Sequence, residues 1–233
     1  VLVGKKPLIF TNNDSAYETA IEFKKNGINP IVLDSRKELN SDLITEAKNL
    51  GIDIKFEHVV VNANGYRKVK SADIAKISED KTNLGKIENI ACDCICVSGF
   101  WTPTIHLASQ SGGKTKFNED IDAFIPSQSK QNETTVGSAN GIFNLNDTLK
   151  NSFEAGYELS KKITSKENKL SVPAVVEKKN SKHDKFWCVP LPKGKKYKRF
   201  LDFQNDVAVS DIELALREGY RSIEHVKRYT TLG

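Results

Sequence analysis

The chain has 233 residues, which is enough for one large domain or two small ones. Its net charge is +5 and its mean hydropathy is −0.45, so neither a strongly basic nucleic-acid binder nor a membrane-embedded protein is indicated. No apolar run approaches the roughly 20 residues that a membrane-spanning helix requires.

The first fifty residues alternate between strand and helix patterns. Short apolar runs typical of buried parallel strands occur at 7–11 and at 30–33, and Asp34 follows the second run. Apolar residues at helical spacing predict helices over 15–26 and 40–50. The sequence therefore begins with a strand–helix–strand–helix unit.

The next fifty residues are predicted to be mainly strands. Residues 52–56 have a strand pattern, and Asn64-Gly65 predicts a hairpin that pairs 59–63 with 66–69. Residues 90–97 form an apolar run that predicts one more buried strand. This order of elements is typical of a Rossmann-like, dinucleotide-binding α/β unit.

The turn after the first strand departs from the dinucleotide fingerprint. Thr11, Asn13 and Ala16 occupy the three positions of G-x-G-x-x-G/A, and Asp34 stands where an acidic residue binds the ribose. Only the third small residue is retained. We interpret the turn as one that has lost or altered its phosphate site.

Three cysteines alternate in the strand predicted at 90–97, and Cys188 lies far away. Alternation places Cys92, Cys94 and Cys96 on one strand face, whereas zinc ligands usually come in C-x2-C pairs from a loop. We therefore predict buried, reduced thiols, no metal site and a reducing compartment, most simply the cytoplasm.

Two segments after residue 97 are typical of enzymes that contain two dinucleotide-binding domains. Ser98-Gly99 followed by Pro103 resembles the turn through which the chain leaves the inserted domain, with one extra residue. Gly137, Ser138, Ala139 and Asn140 resemble the later G-D-x-x-G turn between a strand and a helix, here predicted over 143–155. We expect these residues, Ser98 and Gly99 to face the dinucleotide of the first domain; the alternative is a glycine-rich turn that binds nothing.

A lysine-rich stretch between residues 178 and 199 is interrupted by Pro190, Pro192 and Gly194. Such a stretch can bind nucleic acid, but a solvated linker is the favoured interpretation. After it, Ser210 is predicted to cap one short helix that Gly219 ends, and Ser222 to cap a second one. Helices this short must dock on another surface to be stable.

The chain resembles the alpha subunit of heterotetrameric sarcosine oxidase over nearly all of its length. The resemblance is most specific at three stretches: SGFWTPTIHLASQSGG, GSANGIFNLNDTL and the terminal DFQNDV…EHVKRYTTLG. It also covers 109–127, where Glu119, Asp120 and Asp122 are expected to face solvent. Because the sequence lacks methionine, we expect a piece of a longer polypeptide; a processed mature protein is the alternative.

The resemblance implies an α/β fold of the two-dinucleotide-domain oxidoreductase type, followed by a small helical domain. It implies four parts: an inserted Rossmann-like domain at 1–97, the closing part of the first FAD/NAD(P)-binding domain at 98–165, a linker with a short strand at 166–200, and a helical module at 201–233. Without the rest of that first domain, 98–165 is expected to expose apolar surface and to make the chain poorly soluble.

The resemblance also implies a function. Sarcosine would be oxidised to glycine and hydrogen peroxide, with transfer of the one-carbon unit to tetrahydrofolate bound in a following domain. NAD would be held by the alpha subunit, FAD and FMN by the beta subunit or its interface, and the partners would be the beta, gamma and delta subunits. No catalytic residue and no metal ligand can be nominated in this segment.

Two alternative functions remain open. The helical module resembles one that carries a [2Fe–2S] cluster in amine and proline dehydrogenases, but Asp202 and Gln204 replace the C-x-C, so no cluster is expected here. The first alternative is therefore the matching subunit of an amino-acid or opine dehydrogenase. The second is a non-catalytic scaffold subunit with an eroded nucleotide site, which the Thr11-Asn12-Asn13 turn favours.

Overall fold

The computed structural model describes residues 4–164, 171–176 and 183–232. Lys178, Lys179 and Lys182 of the lysine-rich stretch, and the predicted domain boundary at residue 165, lie outside these ranges. Among the described residues, no helix is both long and apolar enough to cross a membrane.

The first half of the chain contains seven strands and two helices. Their bounds are β1 Pro7–Thr11, α1 Ser15–Lys25, β2 Ile31–Asp34, α2 Asp42–Asn49, β3 Asp53–Phe56, β4 His58–Gly65, β5 Val69–Ile77, β6 Leu84–Ala91 and β7 Cys94–Ser98. The predicted bounds of the first five elements agree with these to within two residues.

The second half has fewer strands and more scattered helices. It consists of α3 His106–Gln110, β8 Lys114–Asn118, β9 Ala123–Gln128, a 3-10 turn Gly137–Asn140, α4 Leu145–Thr164, β10 Phe200–Asp202, β11 Val207–Ala208, α5 Val209–Arg217 and α6 Ile223–Thr230.

A four-stranded parallel sheet organises the first half, with strand order β3-β2-β1-β7. Helices α1 and α2 cover one face and build a core around Ile9, Tyr17, Val32 and Ile44. The antiparallel meander β4-β5-β6 contributes to a second core with Leu8 and Leu33. The Rossmann-like α/β fold expected from the sequence is confirmed.

The hairpin at Asn64-Gly65 exists, but its predicted partner strand is wrong. The strand β5 begins at Val69 and extends to Ile77, so residues 59–63 pair with residues 72–75 rather than with 66–69. Residues 66–68 instead form the wide turn of the hairpin. The sixth strand, β6, was missed because its exposed residues give no apolar run.

The predicted strand over 90–97 is broken in the middle. The Asp93 carboxylate accepts backbone N–H groups of Lys5 and Lys6 at 2.8 and 2.7 Å, which separates β6 from β7. Cys92 therefore lies outside the strand that carries Cys94 and Cys96, and the prediction of three thiols on one strand face is wrong.

The four thiols also differ in burial. Cys92 is buried, Cys94 and Cys96 are half-buried with sulfurs 3.7 Å apart, and Cys188 is exposed. All four are free thiols. Within the described ranges, no group of three or more His, Cys, Asp or Glu side chains could hold a metal ion.

Two predicted helix starts are wrong. The helix α4 spans Leu145–Thr164 rather than 143–155, and the preceding strand β9 ends at Gln128, so among the described residues no strand leads directly into the turn at Gly137. The helix α5 begins at Val209, because the Asp211 carboxylate accepts the Ala208 N–H at 2.8 Å and fixes the helix start before Ser210. Ser222 does stand at the start of α6.

Candidate functional site

The carboxyl ends of β1 and β7 define the crevice where a Rossmann-like sheet binds its ligand. The two strands are parallel neighbours, and Thr11 is in register with Ser98 at their ends. The chain leaves β1 toward α1 and β2 on one side, while β7 lies on the other, so the strand order reverses at this point. Ligands of open α/β sheets bind at such a switch point.

The turn after β1 is closed by its own side chains. Asn13 donates its amide N–H groups to the backbone and hydroxyl oxygens of Ser98, both at 3.2 Å, and Thr11 donates its hydroxyl to the same backbone oxygen at 3.2 Å. The backbone N–H groups of Asn13 and Ser15 are satisfied by Thr11 Oγ1 and Asn13 Oδ1, each at 3.1 Å. These are donors of the kind that a phosphate would need.

The acidic residue after β2 is enclosed in an ionic cluster. Asp34 is fully buried, and its carboxylate accepts hydrogen bonds from Arg36 at 2.7 Å and from the Tyr17 hydroxyl at 2.8 Å. Arg36 also binds Asp14 at 2.8 Å, and both of these side chains are at most 4% exposed. Burial, together with the Asp34 carboxylate, raises the pKa of the Tyr17 phenol far above its usual value.

This cluster leaves no polar group for a ribose. Both Asp34 oxygens already accept protein hydrogen bonds, since Arg36 Nε also binds Oδ1 at 2.9 Å. The Asp14 carboxylate lies at the start of α1, where a dinucleotide would place its own negative charge. The geometry therefore makes Asp34 a structural residue at the strand end.

Ser98 and Gly99 lie at the mouth of a neighbouring cleft of about 190 Å³. The rest of the lining comes from the ends of β1 and β7 and from residues 186–189. A Cβ atom added to Gly99 would meet no atom within 4 Å, so the space in front of this residue is open. The exposed backbone at Gly99 and the open space in front of it leave room for another molecule.

The second group of predicted site residues forms the 3-10 turn Gly137–Asn140. The Gly137 N–H is bound by the Asn151 side chain at 3.1 Å, and its φ of +63° favours glycine. A Cβ there would also approach Thr148 to 3.0 Å. Packing against α4 thus accounts for Gly137, while Ser138 is exposed and Ala139 and Asn140 are half-buried.

The two groups of predicted site residues, Ser98 with Gly99 and the turn Gly137–Asn140, are connected through packing between neighbouring residues. Phe100 packs edge-on against Phe143 with ring centroids 5.7 Å apart. A Cβ on Gly141 would lie 3.8 Å from Pro103. The structure gives no direct hydrogen bond between Ser98 or Gly99 and the turn at 137–140.

Residues 183–188, which we call the strap, lie across the crevice, and sequence reasoning missed their contacts. The Asp184 N–H donates to the Asn12 carbonyl at 3.0 Å, and the Asn12 amide donates to the Asp184 carbonyl at 2.7 Å. His183 stacks on Phe100 at 3.7 Å. The sequence of residues 183–188, HDKFWC, has neither a helix nor a strand period that could have predicted this path.

Charged side chains fasten the strap at both of its sides. Lys81 from the meander forms an ion pair with Asp184, and its ammonium lies 5.8 Å from the Phe186 ring. Lys185 pairs with Asp122 at 3.0 Å, and Asp122 has only 12% of its side chain exposed. The expectation that Asp122 faces solvent is therefore wrong, because it turns inward to hold Lys185.

The described side chains do not form a catalytic set. The half-buried His183 has its pKa lowered by burial, and its Nε2 lacks a hydrogen-bond partner in the described part of the chain. No nucleophile stands beside it.

A search against known proteins found relatives over the whole chain. Residues 196–233 match the family model described as sarcosine oxidase A3 domain. The sarcosine oxidase subunit alpha of Corynebacterium sp. (strain U-96) is 30% identical over 246 aligned residues, which cover 100% of this chain and 24% of that subunit. The same subunit of Rhizobium meliloti (strain 1021) is 31% identical, covering 100% of this chain and 22% of its own length.

A solved structure supports the fold. The L-proline dehydrogenase from P. horikoshii superimposes with a TM-score of 0.54 and 17% identity, covering 98% of this chain and 40% of that one. The chain spans about a quarter of the length of the curated relatives that it matches.

Proposed function

Since this chain is a relative of sarcosine oxidase alpha subunits along its entire length, as its sequence predicted, we propose that it works as part of an amine-oxidising enzyme. The substrate is sarcosine, which is oxidised to glycine and hydrogen peroxide with transfer of the one-carbon unit to tetrahydrofolate. The whole-chain similarity is the observation that carries this proposal. The relatives are about four times as long as this chain.

The chain contributes three parts to that enzyme: the inserted Rossmann-like domain at 1–97, the closing part of the first nucleotide domain at 98–165, and the helical module at 201–233. Residues 166–200 form the linker between the second and third parts. The partners are the beta, gamma and delta subunits. FAD and FMN belong to the beta subunit or its interface, tetrahydrofolate to a further domain, and the location is the cytoplasm.

In this proposal NAD is held beside Ser98 and Gly99 and near the turn at Gly137, Ser138, Ala139 and Asn140. The open space at Gly99 fits a dinucleotide backbone that approaches closely. The NAD is not turned over at the amine, so these residues bind and orient it without catalysing a proton transfer. The substrate choice between sarcosine and other N-methyl amines lies in partner subunits.

A scaffold role is the second candidate function, and a specific observation favours it. The turn that should hold a pyrophosphate is filled by Asn12 and Asn13, which are 6% and 3% exposed. A subunit that has lost nucleotide binding would position its neighbours and contribute no cofactor. The two candidates differ in whether any NAD copurifies with the assembly.

The test is to purify the native assembly that contains this chain and to measure sarcosine-dependent peroxide formation and the NAD released by acid. Stoichiometric NAD and peroxide formation support the first candidate. An intact assembly that oxidises sarcosine without NAD supports the scaffold role. Absence of sarcosine oxidation contradicts the proposed activity.

A matched pair of variants locates the NAD. Gly99→Leu places a side chain in the space assigned to the dinucleotide and is expected to abolish NAD retention. Gly156→Leu is the control, because a Cβ at that glycine also meets nothing within 4 Å but lies on α4. Equal NAD content in both variants would contradict the assignment to Ser98 and Gly99.

A further inference from the structure

The turn between β1 and α1 uses every feature of a dinucleotide site for internal contacts. A dinucleotide needs free backbone N–H groups at the helix start and an accessible acid after β2. Here the Asn13 N–H donates to the Thr11 hydroxyl, the Ser15 N–H donates to the Asn13 side-chain oxygen, and Asp34 is fully buried. The chain's own residues therefore do not fit a dinucleotide at this turn.

The strap lies where the ligand would otherwise lie. Asn12 is the first residue of the turn, and its backbone carbonyl and side-chain amide both bind the backbone of Asp184. One of these hydrogen bonds joins two backbone groups and the other joins the Asn12 side-chain amide to the Asp184 carbonyl. The contacts connect residues 172 positions apart in the sequence.

Three separate parts of the molecule fasten the strap. The turn after β1 binds Asp184, Lys81 from the meander pairs with Asp184, and Asp122 from the β8–β9 hairpin pairs with Lys185. Lys185 also donates to the Glu119 carbonyl at 2.5 Å. A merely solvated linker would not show contacts to three elements.

The spaces left between the strap and the turn after β1 are small; the cleft beside Ser98 and Gly99, which Thr11, Asn12 and residues 186–189 also line, has a volume of about 190 Å³. The cavity bounded by Asn12, Phe100, Asp122, His183 and other residues has a volume of about 50 Å³. Ligand pockets for small organic molecules span about 300–1,000 Å³, whereas one water needs only about 10–15 Å³. A larger hollow of about 340 Å³ lies beyond Ser35 and Arg36, but its lining excludes the turn at 11–14.

We propose that the strap, residues 183–188 of this same chain, is the resident ligand of the Rossmann-like crevice and replaces a dinucleotide there. By filling the crevice it fixes the segment that leads to the module at 196–233. The inserted domain thereby anchors that module and binds no cofactor of its own. The inference goes beyond the proposed function, because it holds for any amine substrate.

Hydrogen exchange of the intact protein tests this proposal. Peptides covering 11–17 and 183–188 are compared with and without NAD, NADH or NADP at about 1 mM, a concentration that reveals even weak binding. We expect a protected Asp184 amide that no nucleotide makes less protected. A nucleotide that protects 11–17 while 183–188 becomes less protected would overturn the proposal.

Two variants make the test independent of nucleotide. Asn12→Ala removes the amide donor to Asp184 and is expected to speed exchange in 183–188 about tenfold, the factor for one net hydrogen bond. Asn29→Ala is the control, since Asn29 is exposed and binds only Lys24 in the described structure. Equal exchange of 183–188 in both variants would show that the strap is not held by the turn.

Hydrogen exchange in α2 distinguishes release of the strap from unfolding of the whole domain. The buried residues of α2 do not contact the strap, so their exchange should stay unchanged in Asn12→Ala. If α2 exchanges faster to the same extent, the variant has destabilised the whole domain. The nucleotide experiment on the unsubstituted protein then tests the proposal by itself. NAD bound beside Ser98 and Gly99, as the proposed function requires, would contact Asn12 and residues 186–188, which line the same cleft, so it would add protection there without releasing the Asp184 amide.

Discussion

The α/β unit at 4–98 and the region at 99–164 differ in how much of their apolar surface they bury. In the first, Leu8, Leu33 and Ile44 are at most 1% exposed. In the second, the 20-residue helix α4 has no buried residue, and Leu145 and Ile163 are 59% and 82% exposed. The expected exposed apolar surface after residue 98 is therefore present.

The difference in burial indicates that the α/β unit is stable by itself, whereas the region at 99–164 depends on another surface for its stability. The α/β unit closes two cores between helices, sheet and meander, so burial alone supports it. An amphipathic helix such as α4 gains most of its stability from packing on another surface. Substitutions should therefore have large effects in the first region and small effects in the second.

The largest expected effect is at the ionic cluster of the first region. Arg36→Met removes the buried guanidinium from Asp14 and Asp34, and we expect a loss of about 3–5 kcal/mol of unfolding free energy, because two buried carboxylates lose their shared cation. Denaturant titration measures this. The triple variant with Asp14→Asn and Asp34→Asn should recover most of the loss; no recovery would show that packing, not charge, is what Arg36 provides.

A leucine pair tests the comparison directly. Leu33→Ala in β2 leaves a cavity in a fully buried core and should cost about 2–5 kcal/mol. Leu159→Ala on α4 changes a side chain that is 44% exposed, and its effect should stay within about 0.5 kcal/mol. Thermal unfolding of both variants gives the values, and comparable losses would remove the distinction between the two regions.

A single hydroxyl gives a smaller effect. Tyr17→Phe removes the donor to the buried Asp34 carboxylate and should cost about 1.5–3 kcal/mol, the range for hydrogen bonds to charged groups. Because burial raises the pKa of Tyr17, its phenol should also be silent in an ultraviolet titration to about pH 11. A Tyr17→Phe variant that loses one titrating tyrosine below that pH would contradict the assignment.

The smallest expected effect is the change in the free energy of unfolding at high pH that the Cys96 thiol causes. Burial raises the pKa of Cys96 to about 11, above the usual 9.0, with the neighbouring Cys94 thiol as a further cause. The unfolded chain then loses this proton first, so the free energy of unfolding should fall as pH rises from about 9 toward 11. Cys96→Ala should flatten that slope, whereas Cys188→Ala, at an exposed site, should not.

The sequence predicted the elements whose patterns are local. The strand β1 and the helix α1 follow from apolar spacing and from turn residues, and their bounds agree with the structure to within one residue. The strand β5 could not be bounded, because Val69–Ile77 mixes charged and apolar residues and owes its length to pairing with two neighbours. The break at Asp93 depends on N–H groups from the far end of the unit.

The candidate site was predictable only in part. The departure of Thr11 and Asn13 from the glycine fingerprint indicated an altered phosphate site. The sequence could not reveal what replaced the phosphate, because Asp184 meets Asn12 across 172 positions and contributes only its backbone N–H and carbonyl to the two hydrogen bonds, which any residue could supply. The same holds for Lys185 and Asp122, whose charges resemble those of a solvated linker and a surface hairpin.

The most direct test of the account is a cryo-electron microscopy map of the native assembly with NAD added. We expect residues 183–188 to lie over the turn 11–14 at the end of β1, with Asp184 paired to Asn12, and any dinucleotide density to lie beside Ser98 and Gly99. Dinucleotide density at the turn 11–14, with the strap displaced, would contradict it.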